Sequence, residues 1–176
     1  AQAFGRQMRK TGRGSLIHVA SIAASNAQGQ SGAYSVSKAA VVMLSQQLAA
    51  EWGPHGIRSN VVSPGLVVTP MSQAFYDTPG VTERRTAVVP LRRIGAPQDM
   101  ADATLFLASD RSSYVNGEEI IVDGGFAQRT GDGLGAVGDD HGVGIGRHGA
   151  GGHHGDVVGL AHGLGLGLGQ HVAAGG

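Results

Sequence analysis

A serine, a tyrosine and a lysine lie near one another in the sequence, and together their side chains could act on a carbonyl group. Ser21 follows an apolar, β-branched run, and Tyr34 and Lys38 lie four residues apart within a run of helix formers. At that spacing the phenol and the ammonium lie on one face of a helix, one turn apart. The ammonium would stabilise the phenolate, which suits a tyrosine to general acid or base catalysis. A tyrosine and lysine at this spacing also occur on many solvated helix faces, so the spacing alone leaves both interpretations open.

Alternating strands and helices would position these three residues. The pattern predicts the end of a helix over residues 1–10, strands at 15–20, 59–63 and 119–122, and helices at about 32–52 and 97–107. An alternation of this kind predicts an α/β fold with a mostly parallel sheet. Ser21 would then lie at the carboxyl end of the first strand, where open α/β sheets bind ligands. On the last helix, we expect Met100, Ala103, Phe106 and Leu107 to form the apolar face.

Three blocks of the sequence resemble the short-chain dehydrogenase/reductase family. They are Ser21 with YSVSK at 34–38, GIRSNVVSPGLVVT at 56–69, and NGEEIIVDGG at 116–125. The blocks occur in the family order with family-like separations, and the resemblance covers residues 1–129. Two departures are mild: Ser59 stands where the family usually has an aliphatic residue, and Ala20 precedes Ser21.

The resemblance implies hydride transfer between NAD or NADP and a carbonyl or secondary alcohol substrate. Tyr34 would exchange a proton with the substrate oxygen, and Ser21 would hold that oxygen. Lys38 would assist Tyr34 and bind the nicotinamide ribose, so that Tyr34 and Lys38 both contact the cofactor. The resemblance implies no metal ion.

The second block would provide further cofactor contacts. In the resembled family the turn formed by Pro64 and Gly65 faces the nicotinamide, and the backbone of Val67 and the side chain of Thr69 contact its carboxamide. Thr69 could also cap a helix that begins at the next residue, and both roles are compatible. Residues 71–89 have no firm period, and they are predicted to be either a mobile substrate lid or an ordinary surface loop.

The first half of a dinucleotide-binding fold is not found in the sequence. That half supplies the glycine-rich phosphate turn and the acid that selects the ribose. The prediction is therefore a partial Rossmann-like doubly wound parallel sheet, its second half only, and the choice between NAD and NADP stays open. A different hypothesis follows: the chain is a catalytically inactive truncated fragment. In a full-length parent, the resemblance implies a homo-oligomer built through the long helix and the last strand.

Composition limits the classes of partner. The formal net charge is zero, so no electrostatic footprint for nucleic acid or an anionic membrane is present. No apolar run approaches the roughly 20 residues that span a bilayer. The absence of cysteine fits a cytoplasmic protein. A small carbonyl or alcohol molecule remains the expected partner.

Residues 130–176 differ sharply in composition from the predicted catalytic domain at residues 1–129. They are rich in glycine and histidine and are predicted to form a disordered, low-complexity tail. Residues 133–138 and 144–149 match G-x-G-x-x-G, but neither follows a strand or opens a helix, so neither predicts a phosphate site. The six histidines of the tail leave open a metal-binding protein, although their spacing fixes no tetrahedral site. A reading-frame shift near residues 128–129 would also produce this composition.

Overall fold

The computed structural model describes residues 1–128 of the chain. The predicted tail, its two G-x-G-x-x-G matches, its histidines and the predicted boundary at residues 129–130 lie outside the described residues. The helices and strands are α1 (Gln2–Thr11), β1 (Gly14–Val19), α2 (Ala33–Trp52), β2 (Ile57–Pro64), α3 (Gln73–Tyr76), α4 (Val81–Val88), α5 (Pro97–Ala108) and β3 (Glu119–Val122). Short 3₁₀ turns lie at Ile22–Ala24, Gly53–His55, Asp110–Ser112 and Phe126–Gln128.

The three strands form one parallel sheet in the order β1-β2-β3, which confirms the predicted α/β fold. The central strand, β2, is buried along most of its length, as a strand flanked on both sides requires. It is longer than residues 59–63 because its pairing with β1 already begins at Ile57, opposite Gly14. Parallel pairing places the carboxyl ends of all three strands at one edge of the sheet.

Two asparagines from the family-like blocks connect β2 to the segment before β3. The side chain of Asn60 is fully buried, donates to the carbonyl of Val115 (2.9 Å) and accepts from the amide of Glu118 (3.0 Å). The side chain of Asn116 accepts from the amide of Ser59 (2.9 Å) and donates to Ala49 at the end of α2 (3.1 Å). These bonds satisfy buried polar groups and thereby fix β3 beside β2.

The prediction of an ordinary surface loop at residues 71–89 is wrong, because this segment contains α3 and α4. The rings of Phe75 and Tyr76 pack edge to face, and the guanidinium of Arg85 lies 4.9 Å from the Phe75 ring centroid. Arg85 is almost fully buried, and burial also raises the pKa of Tyr76. Both helices are short and are separated at Pro79 and Gly80, so neither produces a readable period. The lid role stays a prediction.

Helix α5 begins at Pro97 as predicted, and a salt bridge reinforces its first turn. Asp99 pairs with the guanidinium of Arg93 (2.7 Å) and accepts a hydrogen bond from the amide of Ala96 (2.7 Å), and these contacts hold the pKa of Asp99 well below its usual range. The predicted apolar face is wrong in one position. Leu107 is fully buried and faces the sheet. Phe106, its neighbour in sequence, is turned by about 100° around the helix axis and is partly exposed to solvent.

A polar chain runs through the buried space between α2 and the sheet. Ser45 and Ser59, both fully buried, lie 2.9 Å apart through their hydroxyls, and His18 Nε2 lies 3.2 Å from the Ser59 hydroxyl. Ser59, noted above as a departure from the family pattern, therefore serves as the acceptor or donor for two polar neighbours. The burial of His18 lowers the pKa of its imidazole below the ordinary value of 6.5.

We expect the free energy of unfolding to fall as the pH is lowered below about 6.5, the ordinary pKa of histidine. In the folded protein burial makes His18 harder to protonate than in the unfolded chain, which takes up a proton near pH 6.5, so acid favours the unfolded state. Urea unfolding at about pH 7.5 and about pH 5.5 measures the difference. His18→Asn should make the change in unfolding free energy between these conditions smaller. An unchanged difference would mean that His18 makes no contribution to it.

Candidate active site

Ser21 lies just beyond β1, at the carboxyl edge of the sheet. Its backbone is extended, and it caps the 3₁₀ turn Ile22–Ala24 by accepting a hydrogen bond from the amide of Ala23 (3.2 Å). The side chain is half-buried, because the two residues that follow it are buried and hold the turn against the sheet. A serine hydroxyl that accepts one hydrogen bond can still donate its own hydrogen to another group.

Tyr34 and Lys38 occupy the first two turns of α2. The helix begins after Gly32, whose positive φ of 50° favours glycine. Both side chains are half-buried, and the ammonium of Lys38 lies 5.7 Å from the centroid of the Tyr34 ring. The Lys38 ammonium also donates to the carbonyl of Val19 at 3.3 Å.

This hydrogen bond joins the start of α2 to the end of β1. Val19 is the last residue of β1 and lies two residues before Ser21, so Lys38 reaches the same end of the strand as Ser21. Helix α2 also packs against the turn that follows Ser21. The structure thus brings the three predicted catalytic residues to one end of the sheet, with the tyrosine ring partly open to solvent.

Pro64 and Gly65 lie at the carboxyl end of β2, beside the end of β3. The amide of Gly65 donates to the carbonyl of Val122 (3.1 Å), and a Cβ at this position would lie 2.5 Å from the Cβ of Asp123. The position therefore requires glycine because of its close approach to the end of β3. A cofactor contact at Gly65 stays a prediction.

Val67 and Thr69 lie on the segment that leaves β2. Val67 forms an isolated parallel bridge with Gly95, and its carbonyl accepts from the Ser72 hydroxyl (3.0 Å). The Thr69 hydroxyl accepts from the amide of Ser72 (3.3 Å), as in a helix cap, but it closes a turn, and the helix begins only at Gln73. The prediction that Thr69 caps a helix starting at residue 70 is therefore wrong. These contacts fix the positions of Val67 and Thr69. Their contacts with a cofactor stay predictions.

A cavity of about 600 Å³ lies elsewhere, at the amino-terminal ends of the strands. Its lining includes Gly14, Ile57, Arg58, Asp110 and Asn116, and none of the predicted site residues. Arg58 donates there to three backbone carbonyls, those of Leu107, Ser109 and Val115. Its guanidinium is thus occupied in holding the chain together, and the predicted catalytic residues lie outside this cavity.

Glu119, the first residue of β3, contacts both segments that carry predicted site residues, although the sequence pattern predicts only a strand there. Its two carboxylate oxygens accept from the hydroxyls of Ser25 (2.9 Å) and Ser63 (2.5 Å), which lie 94 and 56 residues away in sequence. No local pattern could predict contacts between residues so distant. The feature of the sequence that could have indicated a role for Glu119 is a carboxylate within a four-residue strand that is otherwise apolar.

Two further observations concern other kinds of site. Among residues 1–128, none of the helices combines the length and apolarity needed to cross a membrane. Within the same residues, histidines and carboxylates do not gather into a group that could hold a metal ion.

Comparison with known proteins shows the family. The family model described as enoyl-(acyl carrier protein) reductase matches residues 1–127. The D-threitol dehydrogenase of Mycolicibacterium smegmatis is 39% identical over 125 residues, which is 71% of this chain and 48% of that protein. The NAD-dependent glycerol dehydrogenase of Listeria innocua is 39% identical over 126 residues, which is 72% of this chain and 49% of that protein.

Solved structures give the same picture. A gluconate 5-dehydrogenase from Burkholderia cenocepacia, solved in complex with NADP and tartrate, has a TM-score of 0.69 and 32% identity, covering 74% of this chain and 51% of that one. A short-chain type dehydrogenase/reductase from Mycobacterium ulcerans has a TM-score of 0.68 and 38% identity, covering 76% and 48%. The chain spans about half the length of the relatives that it matches. With a family model over most of its length and a Rossmann-like parallel sheet, this chain belongs to the short-chain dehydrogenase/reductase family.

Proposed function

We propose that the protein is an oxidoreductase that transfers a hydride between NAD or NADP and a carbonyl or secondary alcohol substrate. The observation that carries this proposal is the position of the Lys38 ammonium, beside the Tyr34 ring and hydrogen-bonded to the end of β1 two residues before Ser21. A phenol, an ammonium and a hydroxyl at the carboxyl edge of an open parallel sheet suit proton exchange with a small polar substrate.

The chain's own residues would do the following. In reduction, Tyr34 donates its phenolic proton to the substrate oxygen, and in oxidation it takes the proton back. Lys38 stabilises the phenolate with its positive charge. Ser21, whose oxygen already accepts from the Ala23 amide, donates its hydrogen to the substrate oxygen and stabilises negative charge that develops there.

The polar groups at this edge fit the nicotinamide end of a dinucleotide. Lys38 and Tyr34 would hold the ribose, and Pro64 and Gly65 would face the nicotinamide. The backbone of Val67 and the hydroxyl of Thr69 would hold the carboxamide. When bound, the nicotinamide supplies or accepts the hydride. Residues 1–128 contain no glycine-rich turn between a strand and a helix, so the pyrophosphate would depend on residues outside this part of the chain.

A second proposal, a catalytically inactive fragment, is favoured by the length comparison and by the open edge of the sheet. Among the described strands β1 pairs with β2 alone, and its last residue, Val19, is 58% exposed. The chain also spans about half the length of its relatives. A polypeptide that lacks the phosphate-binding half would lose the part of the cofactor affinity that comes from the helix amino terminus.

Coenzyme titration separates the two proposals. If the chain is an oxidoreductase, NADH or NADPH fluorescence should change on adding the purified 176-residue chain, with a dissociation constant in the micromolar range. Lys38→Met should weaken this binding, and Lys10→Met, at an exposed lysine in the last turn of α1, should not. Failure of both coenzymes to bind would contradict an active chain and support the inactive fragment.

We also propose a cytoplasmic location. We further propose that a full-length parent forms a homo-oligomer. Exposed apolar side chains on two helices support the homo-oligomer: Val36 and Met43 lie seven residues apart on α2, and Leu105 is 69% exposed on α5. Such side chains commonly lie in contacts between subunits.

A further inference from the structure

We infer that Glu119 is a positioning residue, which holds the Ser21 turn and the end of β2 in a fixed relation to each other. Its role in catalysis rests on the proposed function, whereas its effect on the position of the turn does not. The inference begins from the two hydrogen bonds that Glu119 accepts, from Ser25 and from Ser63. We call this arrangement the Glu119 bridge.

The bridge crosses the middle strand of the sheet. Ser25 ends the 3₁₀ turn that follows Ser21, whereas Glu119 is the first residue of β3, and β2 lies between β1 and β3. In the register of the sheet Glu119 pairs with Val61, two residues before Ser63, so both side chains project on the same face. The bond to Ser25 therefore holds the turn over that face of β2.

The two serines belong to the two segments that carry predicted site residues. Ser25 lies four residues after Ser21, and Ser63 immediately precedes Pro64 and Gly65. The Ser63 hydroxyl is fully buried and Glu119 is half-buried, so this side of the bridge is shielded from competition with water. Hydrogen bonds that have a charged partner are stronger than those between neutral groups.

Packing also holds the turn, because Ala23 is buried and helix α2 contacts it. Its internal hydrogen bonds, from Ala24 to Ser21 and from Asn26 to Ile22, set its shape but not its place on the sheet. Ile22 packs into the core beside Val89 and Phe126 and fixes the first residue of the turn. The Glu119 bridge fixes its last residue, so the direction of the Ser21 hydroxyl depends on both ends.

Amide hydrogen exchange of the 176-residue chain tests the positioning role without requiring activity. In Glu119→Ala, the amides of Ala24, Ser25 and Asn26 should exchange about tenfold faster, while the amides of α2 keep their rates. Ser25→Ala removes the exposed end of the bridge without disturbing β3 and should have the same local effect. Glu119→Gln, which can still accept one bond and donate another, should restore most of the protection.

The control is Glu118→Ala, which removes the neighbouring exposed carboxylate and should leave all these rates unchanged. Unchanged exchange of the turn in both Glu119→Ala and Ser25→Ala would overturn the inference. Faster exchange throughout the sheet in Glu119→Ala, with none in Ser25→Ala, would also overturn it, because Glu119 would then support only the general fold.

The kinetic consequence distinguishes positioning from mere stability. Where the protein turns over a secondary alcohol, Glu119→Ala should lower kcat about tenfold with little change in KM, and Glu119→Gln should recover most of it. An unchanged kcat in Glu119→Ala would refute the catalytic consequence. If the unmodified protein turns over no alcohol or carbonyl, the proposed function fails, while the exchange experiment still decides the structural role of the bridge.

Discussion

Replacing Tyr34 with phenylalanine should lower kcat by about 10²–10⁴, the range that a positioned general acid or base contributes. The phenylalanine ring keeps the contacts of the half-buried tyrosine ring, so the start of α2 should stay folded. What is lost is the hydroxyl that exchanges a proton with the substrate oxygen. Coenzyme affinity should change little, because Tyr34 shares the ribose contact with Lys38, and Lys38 and the β2 turn remain in place.

The measurement is steady-state oxidation of secondary alcohols, followed by the absorbance of the reduced nicotinamide. If the 176-residue chain alone binds no coenzyme, the same substitution is made in the chain joined to the amino-terminal half of a relative. Tyr114→Phe is the matched control, since Tyr114 is fully exposed beside the cavity at the other end of the strands. Turnover that survives in Tyr34→Phe would contradict the assignment of Tyr34 as the proton donor.

The parts of the fold that the sequence could predict are those with local signals. The strands follow from β-branched runs, α2 from a long run of helix formers ending before Gly53 and Pro54, and α5 from Pro97 at its first position. The position of Tyr34 and Lys38 on one helix face follows from spacing alone. The position of Ser21 at the carboxyl edge of the sheet follows from the parallel pairing, since Ser21 comes shortly after the end of a strand.

The parts that could not be predicted depend on contacts between distant residues. Gly65 shows this: its sequence context suggests a close approach to a ligand, but the close approach in the structure is to Asp123, far along the chain. Glu119 meets Ser25 and Ser63 only after the three strands have paired. Helices α3 and α4 could not be predicted for a different reason: each is too short to show a helical period of apolar residues.

The half-length match changes how the candidate site should be interpreted. Under the proposed function, the described residues would provide the proton-exchange groups and the surroundings of the nicotinamide, while the phosphate-binding part has no counterpart among them. Catalysis and cofactor affinity would therefore be separable in this chain. A chain with Ser21, Tyr34 and Lys38 correctly placed could still fail to bind its coenzyme, and the coenzyme titration detects that failure directly.

Replacing Trp52 with alanine should reduce the free energy of unfolding by about 3–5 kcal/mol, as for other large buried aromatic residues. Trp52 is 8% exposed and forms a core cluster with Leu48 and Ile57. The backbone of α1 packs directly against its ring, since a Cβ added at Gly5 would overlap the ring carbons. Removing the indole would thus leave a cavity and would also remove the surface on which α1 rests.

Urea unfolding followed by far-ultraviolet circular dichroism measures this loss, because Trp52 is the sole tryptophan and fluorescence would vanish with it. Arg9→Gln is the control: its guanidinium lies 5.2 Å from the ring centroid, and losing that contact should cost only about 0.5–1 kcal/mol. Trypsin should cleave α1 of Trp52→Ala faster, at Arg6, Arg9 and Lys10, because an undocked helix opens to the protease. Equal cleavage rates together with a loss below about 1 kcal/mol would show that α1 is held by something other than this ring.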